Sequence, residues 1–140
     1  MTRLSALWTF AVLNYLYCDV LGHMDADVLN GLLDREVDGM RITPGFLFGA
    51  GVLMEIPIAM VLLSLLLPWR ANRIANLVAG SVMTLVQGAS LLVGTPTAYY
   101  VLYSVFEIGA TAAIVWLAWK WAGPQAPAPS PADRASAAAG

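Results

Sequence analysis

The hydropathy of the chain rises and falls four times. Apolar runs occupy residues 4–22, 46–67, 73–93 and 98–121, with polar or turn-forming residues between them. Each holds about the 20 helical residues needed to cross a hydrocarbon layer roughly 30 Å thick. Residues 74–106 contain no charged side chain at all. Pro68-Trp69-Arg70 parts the second run from the third, and Gly94-Thr95-Pro96-Thr97 parts the third from the fourth. Links this short make consecutive helices antiparallel. The pattern predicts an all-α membrane protein with four transmembrane helices in an up-down antiparallel bundle.

The long polar interval is residues 23–43. Asp25, Asp27, Asp34, Glu36 and Asp38 outnumber Arg35 and Arg41 there. Val28, Leu29, Leu32, Leu33 and Val37 fall on one face at helical spacing, which predicts a short amphipathic helix lying on the membrane surface. Asp25 suits its N-cap and Gly39 its C-terminal stop. Pro44 and Gly45 then break the chain before the second span. Residues 123–140, rich in Pro and Ala and without apolar period, read as a disordered tail. The domain division is therefore 1–122 for the membrane domain and 123–140 for the tail.

The first run has an alternative. Arg3 precedes an apolar stretch, as in a secretory signal. Asn14, Tyr15, Tyr17 and Asp19 interrupt that stretch and no small-residue cleavage site follows, so a retained helix is expected. Tyr17 before Cys18 does not suit a lipid-attachment site.

Composition agrees. Of 140 residues, 59% are hydrophobic and 11% charged, against about 25% charged in a soluble domain. Mean hydropathy is +0.72. So short a chain cannot bury that much apolar surface in its own core, so the excess faces lipid. The net charge of −2 leaves no basic footprint for nucleic acid. A single cysteine, Cys18, excludes an internal disulfide.

Basic residues set the orientation. With the N-terminus inside, Arg3, Arg70, Arg73, Lys120 and Arg134 are cytoplasmic, and Arg35 and Arg41 are outside. The positive-inside rule then places both termini in the cytoplasm. All five tryptophans fall toward the inner side and all five tyrosines toward the outer half.

Depth arithmetic singles out a polar layer. At 1.5 Å per residue, Glu55 and Glu107 each lie about 13 Å below the outer edge of their spans. Asn14 and Gln87 come out roughly 10–12 Å deep and Asp19 about 5 Å. No Lys or Arg shares that level. An ionised acid at a helix centre costs about 2.5–3.5 kcal/mol on insertion scales, so the protonated form is the cheaper one there. Tyr100, Tyr103 and Thr111 extend a polar face of the fourth helix around Glu107. Pro57 removes a backbone donor and frees the carbonyl of Leu53 near Glu55. On the third helix Asn76, Gly80, Thr84, Gln87 and Ser90 share a side, and small residues there admit a close neighbour. Gly45 and Gly49 do the same at the top of the second.

The phrases LNYLYCDVLGHMD, TPGFLFGAGVLMEIPIAMVLLS, NRIANLVAG, PTAYYVLYSVFEI and WLAWKW resemble the DUF6326 family of bacterial four-helix membrane proteins. The resemblance spans the chain to Trp121, and MEIPIAM is its most specific phrase. It implies a small multi-pass inner-membrane protein and transfers no catalytic residue. A looser likeness to DoxX-like proteins rests on size and the N-x-x-A-N-x-x-A-G pattern.

Three function classes fit. One is a proton-coupled or small-cation transporter using Glu55, Glu107, Asn14, Gln87, Tyr103 and Asp19, similar to small multidrug-resistance proteins in size, span number and buried carboxylate. Another is an accessory subunit whose polar layer fixes helix packing. The third, a quinone-binding redox component, has no haem-ligating histidine within a span. His23, Asp25 and Asp27 match no metal-loop spacing. No catalytic set, metal or cofactor is implied. Partners are the bilayer, a proton or small cation, and a second copy or another membrane protein.

Overall fold

The computed structural model describes residues 2–37, 39–93, 95–121 and 123. In order these form α1 (Thr2–Met24), α2 (Ala26–Leu33), β1 (Glu36–Val37), β2 (Met40–Arg41), α3 (Pro44–Leu66), α4 (Trp69–Ser90) and α5 (Ala98–Lys120). The tail expected over 123–140 lies outside the described residues except for Gly123, as does Gly94 of the expected turn.

Local chemistry sets the boundaries. At the start of α2 the Asp25 carboxylate accepts from the backbone N–H of Asp27 at 3.1 Å, the cap expected there. The helix ends earlier than the apolar spacing suggests. Arg35 takes a left-handed φ of 57°, and the chain turns into a two-stranded hairpin pairing Glu36 with Arg41 and Val37 with Met40. Gly39, with φ 78°, belongs to that hairpin and is not a helix stop. The Thr43 hydroxyl accepts from the N–H of Phe46 at 3.1 Å, and Pro44 occupies the first turn of α3, where its missing N–H costs nothing. Pro68 caps α4, which starts four residues before the expected span. It stops at Ser90, so Leu91, Leu92 and Val93 leave the helix for a turn.

Among the described residues, three helices are long and apolar enough to cross a membrane: α1, α3 and α5. α4, at 22 residues, is comparable in length but the least apolar of the four long helices. α1 packs on α3 and α5, and α4 packs on the same two. α4 and α5 run in opposite directions. Ser5 reaches the carbonyl of Val61 at 2.8 Å, while Arg73, Thr84 and Gln87 of α4 meet Ala118, Thr111 and Ser104 of α5 in reverse order.

The centre holds Trp8, Ala11 and Tyr15 of α1, Met60 of α3, Ala79 and Met83 of α4, and Ala110 and Ile114 of α5. Alongside them Ser64, Asn72, Asn76, Ser104, Glu107 and Thr111 are equally buried. Large apolar side chains point outward instead: Phe48, Leu66, Leu85 and Trp119 are all at least 68% exposed. A soluble bundle of this size would hide such residues and solvate the others. The polarity is that of a protein whose solvent is lipid.

Candidate functional site

Buried polar groups fall into two clusters on the bundle interior. The first lies toward the end that carries Arg3, Arg70, Arg73 and Lys120. There the Trp8 indole donates to Asn76 Oδ1 at 2.8 Å, and Ser64 Oγ donates to the same oxygen at 3.3 Å. Asn76 Nδ2 donates to Asn72 Oδ1 at 2.6 Å, and Asn72 Nδ2 donates to the Ser64 carbonyl at 2.7 Å. α1, α3 and α4 are thus tied by one closed network whose side chains are all satisfied, the arrangement expected of interhelical glue. Asn72 and Ser64 carried no signal as single residues in the sequence. Their spacing from Asn76 and Met60 along each helix marks the face they share.

The second cluster centres on Glu107. Its side chain is 1% exposed, and both carboxyl oxygens are buried without a hydrogen-bond partner. The phenol oxygen of Tyr15, on α1, is also buried and unpartnered. Glu107 lies within electrostatic range of Tyr15, Cys18 and Asp19 of α1. Around it α4 and α5 are laced together. Thr84 Oγ1 donates to Thr111 Oγ1 at 2.8 Å, Gln87 Nε2 to Ser104 Oγ at 2.8 Å, and Tyr100 Oη to Ser90 Oγ at 2.7 Å. Ser104 and Thr111 sit three residues before and four after Glu107, on the same face of α5.

The six candidate site residues, four of them expected in one layer, separate. Glu107 and Gln87 are buried, but Gln87 is used by Ser104. Tyr103 is half-buried, and Ser104 takes the interior position expected of it. Asn14 is half-buried and donates to the carbonyl of Phe10 on its own helix at 2.8 Å, so it bridges no helices. Glu55 is exposed on the outer surface of α3 and does not meet Glu107. The reason is helical phase. Pro57, Met60 and Ser64 turn α3 inward, and Glu55, two residues from Pro57, points roughly 200° around the helix from it. Asp19 is exposed near the end of α1 that leads into α2. The close approach expected on α4 is real. A Cβ on Gly80 would lie 2.8 Å from Val115 Cγ2 and 3.4 Å from the Thr111 carbonyl. At Gly49 a Cβ would meet nothing within 4 Å, and at Gly45 only Thr43 Oγ1 of its own turn, so neither seats a neighbouring helix.

Asp19 borders two hollows. One, of about 370 Å³, lies at the end of the bundle that carries α2 and the hairpin. Asp19, Cys18, Tyr99 and Tyr100 form part of its wall, and Val28, Leu32 and Met40 cover it. Tyr100 stands seven residues before Glu107, about 10 Å above it along α5. The other, of about 260 Å³, opens sideways between α1 and α3 beside Tyr15, Asp19 and Pro57.

The sequence model of DUF6326, described as a family of unknown function, matches residues 1–126. The chain belongs to the DUF6326 family. No curated protein and no solved structure matches it. In this DUF6326 protein the phrase MEIPIAM divides by face, sending Glu55 outward while Pro57 and Met60 turn inward. PTAYYVLYSVFEI supplies Tyr100, Ser104 and Glu107 to the buried face of α5.

Proposed function

We propose that this DUF6326 protein is a four-span, up-down bundle of a bacterial inner membrane, with both termini cytoplasmic, that carries a proton or small cation on Glu107. The observation that supports the reading is the state of that carboxyl: buried, with neither oxygen partnered, beside a phenol that is also unpartnered. A purely structural acid would donate to or accept from a neighbour, because an unsatisfied buried group costs about 1–3 kcal/mol. A carboxyl left free in the interior of a membrane bundle is equipped to take up and release a proton, or to pair with an incoming cation. The hollow walled by Asp19 and Tyr100 lies at the end of the bundle that this reading places outside, about 10 Å from Glu107 along α5.

The test is flux in proteoliposomes. Wild type should dissipate an imposed pH gradient or cation gradient faster than empty vesicles. Glu107→Gln keeps the shape and removes the titrating proton, so its flux should fall to the empty-vesicle level, while Glu55→Gln should retain most of its flux. Infrared difference spectra should show a carboxyl band lost in Glu107→Gln. If that variant keeps full flux and its spectrum is unchanged, the proton-site reading is wrong. An accessory role is the second reading, favoured by the fully satisfied Trp8–Ser64–Asn72–Asn76 network. Absent flux together with stoichiometric recovery of another membrane protein would select it.

A further inference from the structure

α3 carries an acid where a single copy of the chain gives it no partner. Glu55 is the middle residue of the helix Pro44–Leu66, eleven residues from each end, or about 16 Å at helical rise. That is the centre of a span. α3 is also the apolar helix with the smallest buried share, 11% of its span against 33% for α1 and α5. Its outer face is a continuous stripe of Phe48, Val52, Glu55, Ile58 and Leu62, spaced three or four residues apart and all exposed. One turn above Glu55, a Cβ on Gly51 would meet nothing within 4 Å. A carboxyl at bilayer depth nearly always faces protein or water. Here it faces outward from the bundle.

We propose that this stripe is the interface of a homodimer whose twofold axis runs along the membrane normal beside Glu55. Copies inserted with the same orientation can be related by a twofold only along that normal, and each residue then meets its own copy at its own depth. The described basic residues, Arg3, Arg35, Arg41, Arg70, Arg73 and Lys120, all lie between helices or in the first or last turns of one. A second copy therefore brings no cation to this level, and it brings one matching polar group, its own Glu55. Two carboxyl groups form a self-complementary pair, each donating to and accepting from the other. Such a pair removes both acids from lipid. Apolar Val52, Ile58 and Leu62 close around it, and Gly51 admits the partner backbone. The interface is independent of any chemistry at Glu107.

Cysteine crosslinking in membranes tests it, in a Cys18→Ser background that removes the sole native thiol. Val52→Cys and Ile58→Cys flank Glu55 and should form disulfide dimers at least fivefold more readily than Val105→Cys on the outer face of α5. In the wild-type background, dimer formation of purified protein in lipid vesicles is read by energy transfer between labelled copies. Glu55→Gln, which can still pair, should associate like wild type. Glu55→Leu should associate about three- to tenfold more weakly, the worth of an interhelical hydrogen bond in membranes. Because Glu55 is exposed, the Leu variant should keep its monomer fold by circular dichroism. Absent crosslinks at both positions, or equal association of the Leu variant and wild type, would overturn the dimer. So would a purified protein that stays monomeric while Val52→Cys links to a different protein in cells.

Discussion

At the residue scale, two buried amides on α4 differ in how much depends on them. Asn76 receives the Trp8 indole and the Ser64 hydroxyl and donates to Asn72, so three helices meet on one side chain. Gln87 makes one interhelical bond, to Ser104. We predict that Asn76→Ala destabilises the bundle more than Gln87→Ala. It strands an indole N–H and the Asn72 amide in a dry interior, at about 1–3 kcal/mol for each orphaned group. Losing a single interhelical hydrogen bond costs closer to 0.6 kcal/mol in a bilayer. Unfolding in mixed micelles, followed by Trp fluorescence and circular dichroism, ranks the two variants. Equal losses would show that the network is not cooperative.

At the element scale, the α4–α5 contact depends on Gly80. Its missing side chain lets a Val115 methyl approach to 2.8 Å, a distance a Cβ would overlap, with the Thr111 carbonyl in contact at 3.4 Å. Gly80→Ala should therefore lose about 1–3 kcal/mol through overpacking, despite the better helix propensity of Ala. Gly80→Ala with Val115→Ala should recover much of that loss, because the nearest atom is a Val115 methyl. If the double variant is no better than the single, the backbone contact with Thr111 governs instead. This close approach was legible in the sequence, because Gly80 shares a face with Asn76, Thr84 and Gln87 on a helix with both polar and apolar sides. α3 was not legible in the same way. It is apolar all round, so counting residues gave Glu55 its depth but nothing gave its direction. α5 is intermediate: Ser104 and Thr111, spaced around Glu107, mark the buried face, while Tyr103 lies beside it. The hairpin at Glu36–Arg41 escaped for another reason. Val37 continued the apolar helical spacing of α2, and only the left-handed backbone at Arg35 ends that helix.

At the scale of the whole molecule, basic residues gather toward the ends and the two ends differ. One end gathers Arg3, Arg70, Arg73 and Lys120. Arg73 donates to the carbonyls of Ala118 and Trp119 at 3.0 Å each, satisfying the C-terminus of α5. Lys120 lies over the Trp116 ring at 4.4 Å, as a side chain at the lipid boundary does. The other end carries α2, the hairpin and the acidic loop. If the bundle spans four times with its termini inside, five basic residues lie in the cytoplasm and two, Arg35 and Arg41, outside. Replacing Arg70 and Arg73 with Gln leaves three inside and two outside, which nearly cancels the bias that fixes orientation. We expect reporters fused after Trp121 and inserted at Gly39 to read cytoplasmic and external, respectively, in the wild type. In the doubly substituted protein both reporters should give mixed signals. Replacing Arg35 and Arg41 instead should leave the topology unchanged, because it only strengthens the asymmetry. A wild-type reporter after Trp121 that reads external would reverse the orientation, and with it the side from which Asp19 and the hollow above Glu107 are reached.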